Sequence, residues 1–256
     1  MHTPTSPAQG HNLRRSALNL VALCASLCAA FSASAASLEI DPVRVALSAQ
    51  QKTAVILIRN NSDEPATLEA KPVSWSQADS QDVYAPTREL LVSPPTFTIP
   101  AHGTQTVRAA LRRGADPTRE LSYRINLQEI PPAMPAGVNG VQVALKVGLP
   151  VFVKSLNGKS AAKAQWSLAR NTDGKLAVAL RNTGSAHVQV TDFLIQRPTG
   201  AEVLAEQRAA TYVLEGQTRV WELTPMSPEK ITVGPLRLKA HTDAGDSDKE
   251  LALDLR

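Results

Sequence analysis

Cysteine is all but missing from this chain of 256 residues, which has two, Cys24 and Cys28, both within the first 35 residues. That stretch reads as an export signal. Arg14 and Arg15 make a positive start, Ala17 to Phe31 an apolar run too short for a membrane anchor, and Ala33-Ser34-Ala35 a small-residue cleavage site. The paired arginines also fit a twin-arginine signal, but no cofactor motif follows that would require folded export. Each cysteine follows a leucine, whereas a lipidated cysteine follows a small residue. The chain beyond residue 35 therefore has no thiol. Disulfides and thiolate metal sites are excluded there, and stability must rest on the core.

A dominant charge is lacking too. Without Arg14 and Arg15 the chain keeps 25 basic and 23 acidic residues, a net charge of +2. So even a balance gives no reason to invoke nucleic acid. Only His102, His187 and His241 remain beyond the signal, all in turn-like stretches, and no pair has metal-ligand spacing. There is no G-x-S-x-G, no phosphate-binding loop and no dinucleotide fingerprint. The acidic residues are scattered through turns and strand faces that read as solvated surface. The sequence asks for no catalytic residue, no metal and no cofactor.

What is present is strand. Val141 to Lys154 (VQVALKVGLPVFVK) alternates without a break, with Val141, Val143, Leu145, Val147, Leu149, Val151 and Val153 in one phase. Period two marks a β-strand. At about 3.3 Å per residue it would span roughly 46 Å, more than a small domain can cover. Pro150 has no N–H for a ladder, which points to a sheet edge. A long apolar edge is an aggregation hazard that proteins normally blunt, so this one reads as kept for a partner.

The rest of the chain fits around it. Leu38 to Leu47 changes apolar phase at Pro42, as a bulge or a change of sheet would require. Strands are expected over Thr53–Arg59, Ala66–Trp75, Gln105–Leu111 and Tyr123–Ile130, with a polar loop over Ser76–Asp82 and a flexible one over Ala133–Gly140. Short strands with turn signals about every ten residues, and no long 3.6-residue period, indicate an all-β sandwich. Ser155–Lys163 reads as a linker, and a second β-rich region ends in a strand over Glu250–Leu255. That region echoes the first: Ile58-Arg59-Asn60-Asn61-Ser62 against Leu180-Arg181-Asn182-Thr183-Gly184-Ser185, and Gly103 to Arg108 against Gly216 to Val220. The expected division is a signal over 1–35, a first domain over 36–154, a linker over 155–163 and a second domain over 164–256. Arg44, Arg108, Arg124, Lys146 and Lys154 each sit among apolar strand neighbours. Either each points to solvent, or two or three converge between the domains to bind an anion, for which a guanidinium fork is suited.

The run Tyr123-Arg124-Ile125-Asn126-Leu127-Gln128-Glu129-Ile130-Pro131-Pro132, the Ala144-Leu145 strand after it and the opening Pro42-Val43-Arg44-Val45 resemble a periplasmic pilus-assembly chaperone of the chaperone–usher pathway. The ending Leu149-Pro150-Val151-Phe152-Val153-Lys154 is similar to the archaic branch, which serves spore-coat-protein-U-like subunits. The resemblance is strong over Leu38–Lys154 and weaker beyond. It implies two immunoglobulin-like β-sandwich domains arranged as an L or boomerang, located in the periplasm. It also implies pilin-like subunits lacking a final strand and an outer-membrane usher as partners, with no enzymatic role. Val141, Val143, Leu145 and Val147 are the side chains it implies are lent to the subunit; Leu149, Val151 and Val153 belong to the chaperone's own core. The better-known branch holds the subunit's terminal carboxylate with an arginine on the first strand, matched by Arg44, and a lysine late in the donor strand, where this chain has Pro150. The implied substitutes are Arg124 and Lys154, with Arg44 and Arg108 in reserve. A scaffold or adhesin that self-associates through the same edge is a second reading, and a secreted hydrolase a third.

Overall fold

The structure, a computed structural model, describes residues 38–133, 142–228, 231 and 234–255. The expected signal, most of the Ala133–Gly140 loop and Val141 lie outside the described residues. The described residues between 38 and 153 form one sandwich. One of its sheets has the order β1 (Leu38–Asp41), β3 (Thr53–Asn60), β8 (Thr104–Leu111), β6 (Leu90–Ser93). The other runs β2 (Val45–Leu47), β10 (Lys146–Val153), β9 (Leu121–Glu129), β4 (Ala66–Ala78), β5 (Gln81–Pro86), with β7 (Thr96–Ile99) also on β4. The phase change at Pro42 is a change of sheet: β1 pairs with β3 on one side, and β2 pairs with β10 on the other. Between the sheets lie Ile56, Ile58, Leu68, Ile99, Val107, Tyr123, Ile125 and Leu127, all buried.

The second sandwich repeats the plan. β16 (Thr218–Leu223), β12 (Leu176–Asn182), β11 (Ala164–Arg170) and β19 (Leu253–Leu255) form one sheet. β14 (Val203–Gln207), β13 (Val188–Gln196), β17 (Leu236–Thr242) and β18 (Ser247–Leu251) form the other, with β15 (Thr211–Val213) on β13. The two echoed asparagines occupy equivalent places, each at the end of a strand and wholly buried. Asn60 Nδ2 donates to the carbonyls of Glu64, Ile99 and Pro100, and its Oδ1 accepts the Ser62 N–H. Asn182 Nδ2 donates to Ala186, Val213 and Leu214, and its Oδ1 accepts the Gly184 N–H. Each amide thereby satisfies carbonyls at a sheet corner that would otherwise be buried unpaired.

Three expectations need correcting. The polar stretch Ser76–Asp82 is a hairpin: β4 continues to Ala78 and returns as β5 from Gln81. Asp79 and Ser80 both have positive φ (49° and 61°), the requirement of a two-residue type I′ turn. Every residue of β5 is exposed, so no apolar alternation advertised it. The long strand is also shorter than its pattern. β10 starts at Lys146, because β9 ends at Glu129 and Ile130-Pro131-Pro132 offers no further ladder. Beyond that point the Glu129 N–H is bonded to the Leu145 carbonyl at 2.8 Å, its Oε2 accepts the Leu145 N–H at 3.1 Å, and Gln142 Nε2 donates to the Pro132 carbonyl at 2.9 Å. The final strand, expected over Glu250–Leu255, is split into β18 and β19, which join different sheets.

Candidate functional site

One apolar row runs along β10 and past its start. Leu149, Val151 and Val153 are fully in the first core. The same phase then leaves the sandwich: Val147 and Leu145 are half-buried, and Val143 is 87% exposed. Half of the row belongs to this domain, and half has no host among the described residues. The backbone shows the same division. β9 covers β10 from Lys146 to Val153, but on the opposite edge β2 pairs only with Val151, Phe152 and Val153, in parallel. Among the described residues, Lys146 to Pro150 therefore present an open edge. Pro150, without an N–H, sits where the covered part begins.

At that same point stands Arg124, which faces Pro150 across the ladder. Its guanidinium lies 4.1 Å from the Trp75 ring centre and 5.4 Å from that of Tyr84, a cation–π contact worth about 0.5–2 kcal/mol. Gly148 leaves room for it, since a β-carbon there would approach Nη1 to 3.1 Å. Asp82 Oδ2 is 3.6 Å from Nη2, outside hydrogen-bond reach. The Nε is buried and has no hydrogen-bond partner among the described residues. A partly buried guanidinium whose buried Nε donor is unfilled is receptive to a carboxylate. Asp82 accepts from Gln77 and Tyr84. Burial opposes its charge, but those bonds and the nearby Arg124 hold its pKa below the ordinary value.

Arg44 is differently occupied. It donates to Asp243 at 2.7 Å and to Gln189 Oε1 at 3.4 Å, both in the second sandwich. Asp243 also accepts the Gln189 N–H and lies 3.5 Å from Nε2 of His187. His187 is stacked on Phe152 with ring centres 3.5 Å apart, and its Nδ1 bonds Glu120 of the first sandwich. Burial disfavours the imidazolium, yet Asp243 and Glu120 together raise its pKa above the ordinary value. Trp75, Phe152 and Leu214, with Tyr212 against them, form a small apolar joint beside this network. Gln77 ties it further, donating to the Tyr212 carbonyl and accepting the Leu214 N–H, each at 2.9 Å.

The expected anchor residues thus separate. Arg124 and Arg44 share the face of the sheet that meets the second sandwich. Lys154 follows β10 beyond Phe152, exposed, its N–H on the Leu47 carbonyl. Arg108 lies on β8 of the other sheet and is exposed. Trp75, Asp82, Tyr84, Gln77 and His187 were not legible as site residues; the polar hairpin and an isolated histidine gave no pattern to follow. Among the described residues no group of three or more His, Cys, Asp or Glu could hold a metal ion.

Residues 37–155 match the family of pili and flagellar-assembly chaperones, PapD N-terminal domain. The chaperone protein FaeE of Escherichia coli is 30% identical over 144 residues, which cover 55% of this chain and 53% of FaeE. The chain therefore aligns with about half the length of such relatives. Among solved structures, the CsuC–CsuE chaperone–tip adhesion subunit pre-assembly complex, from the archaic chaperone-usher Csu pili of Acinetobacter baumannii, matches with a TM-score of 0.60 at 18% identity. That match covers 86% of this chain and 100% of the solved one. The SafA pilin–SafB chaperone complex of Salmonella enterica gives 0.57 at 17% identity, covering 87% and 99%. At these identities the structures establish the shared fold: two immunoglobulin-like β-sandwich domains.

Proposed function

We propose that this protein is a periplasmic chaperone, a reading supported by the match of residues 37–155 to the pili and flagellar-assembly chaperones, PapD N-terminal domain. In this reading it lends the edge of β10 to pilus subunits lacking a final strand, caps them, and passes them to an outer-membrane usher. It is a binding protein and not an enzyme. The observation that carries the reading is the apolar row of β10, which leaves its own core at Val147 just where the backbone edge lies open. Val141, Val143, Leu145 and Val147 are the donated side chains. Each Val or Leu buried in a subunit groove contributes about 1.5–3 kcal/mol before ordering costs.

Charge sets the direction of the guest. β2 lies parallel to β10 and takes the edge from Val151 onward, so a subunit strand at Lys146–Pro150 extends the same slot. Laid parallel to β10, it brings its C-terminal carboxylate to Arg124 and Arg44; laid antiparallel, it would bring an amine to two cations. Arg124, with its donors unfilled, is the principal anchor, and Arg44 must first part from Asp243. Lys154 lies past the end of β10 and Arg108 on the other sheet, so neither is given a share of that carboxylate in this reading.

The test is co-expression with a secreted, strand-deficient subunit, followed by pull-down. Replacing Val143 and Leu145 with aspartate should abolish recovery of the subunit. The fold should survive, because neither side chain belongs to a described core. Undiminished recovery would overturn the reading. A large oligomer independent of concentration, formed without subunit, would favour a self-associating scaffold instead.

A further inference from the structure

We infer that Asp82 is a built-in competitor for the carboxylate that Arg124 receives, and so sets how readily that carboxylate is released. The inference rests on the reading of Arg124 as the anchor. Asp82 faces Gln77 across the β4–β5 hairpin. Its Oδ1 accepts from Gln77 Nε2 at 2.8 Å, and its Oδ2 accepts from the Tyr84 hydroxyl at 3.0 Å. Two neutral donors therefore fix it, whether or not Arg124 is engaged. Gln77 is itself fixed, since its other amide hydrogen goes to the Tyr212 carbonyl and its oxygen takes the Leu214 N–H. The joint between the sandwiches thus holds Asp82 in position.

From there it balances the charge of Arg124 without filling its donors. The Nη2–Oδ2 separation is 3.6 Å, and Nε has no partner among the described residues. An arriving carboxylate can take those hydrogen bonds, but it must settle beside a carboxylate that cannot retreat. Like charges sharing one cation oppose each other. A protein that must surrender its cargo gains from such opposition, because it shortens residence without removing the geometry that recognises the terminus. If Asp82 instead only oriented Arg124, its loss would weaken binding, so the two roles differ in sign.

Asp82→Asn removes the charge and keeps the hairpin, since the amide oxygen accepts from Gln77 and the amide nitrogen donates to Tyr84. Asp82→Ser is the second variant. The probe is a short peptide of alternating valine and threonine with a free C-terminal carboxylate, beside the same peptide amidated, followed by fluorescence anisotropy on the full chain. Both variants should bind the free acid about tenfold more tightly, with slower dissociation and no change for the amide. Free-acid affinity that is unchanged or weaker in both variants, in a protein that still prefers acid to amide, would overturn the competitor role alone. Indifference to acid or amide in every form would overturn the Arg124 anchor, and the competitor role with it.

Discussion

The side chain of Arg124 passes over bare backbone at Gly148, where a β-carbon would stand 3.1 Å from its Nη1 and 3.4 Å from its Cδ. Gly148 is therefore the position that lets a strand residue lay a cation against the open edge. Gly148→Val suits a strand but occupies that space, so it should displace the guanidinium from Trp75. Binding of a free-acid peptide should weaken roughly tenfold, the equivalent of one lost charge-assisted hydrogen bond of about 1.5 kcal/mol. Thermal stability should change little. Anisotropy titration and a melting curve together check this; unaltered affinity would show that Arg124 does not need its present position.

The joint between the sandwiches should respond to pH in a defined sense. The pKa of His187 is raised from its ordinary 6.5, so the folded state holds the proton more tightly. That contribution is fully present below about pH 6.5 and is lost as pH rises through the folded value. Asp243 is shifted the other way, below 3.8, because burial is outweighed by His187, the Gln189 N–H and Arg44. Its contribution is present above that value and lost as pH falls through the lowered pKa. The melting temperature should therefore be highest between these limits and decline on the alkaline side. His187→Gln should remove the alkaline decline and shrink the acid one to what the Gln189 N–H and Arg44 still hold at Asp243; an identical profile in the variant would rule His187 out as its source.

Asn60→Ala and Asn182→Ala should each cost about 2–4 kcal/mol, since each leaves several buried carbonyls without a donor. Urea unfolding followed at Trp75 and at the Trp166–Trp221 pair can separate the two sandwiches. Asn60→Ala should shift the first signal most, and Asn182→Ala the second. Equal shifts of both signals by both variants would mean the sandwiches unfold as one unit.

These asparagines also show what kind of information a single chain exposes. Asn60 and Asn182 recur in like settings, Ile58-Arg59-Asn60-Asn61 and Leu180-Arg181-Asn182-Thr183, and a repeated local pattern is visible without coordinates. The alternation from Val141 to Val153 was equally plain, because period two survives whether or not a partner strand is present. For the same reason it could not show that the ladder stops at Lys146, a boundary set by Ile130-Pro131-Pro132 on the neighbouring strand. The proposed anchor was legible only as a set of basic residues. What separates Arg124 from Arg44, Lys154 and Arg108 is the company of Trp75, Tyr84 and Asp82, which reach it across two strand pairings. His187 looked like a turn residue because its partners are distant in the chain, Glu120 in the first sandwich and Asp243 in its own.

Amide hydrogen exchange along β10, measured on the chain alone and in complex with a strand-deficient subunit, bears most directly on the proposed lending of this strand. The amides of residues 142–149 should become strongly protected in the complex, while those of the exposed edge strand β5 stay as they were. Protection falling on β5, or no change from 142 to 149 in a stable complex, would contradict it.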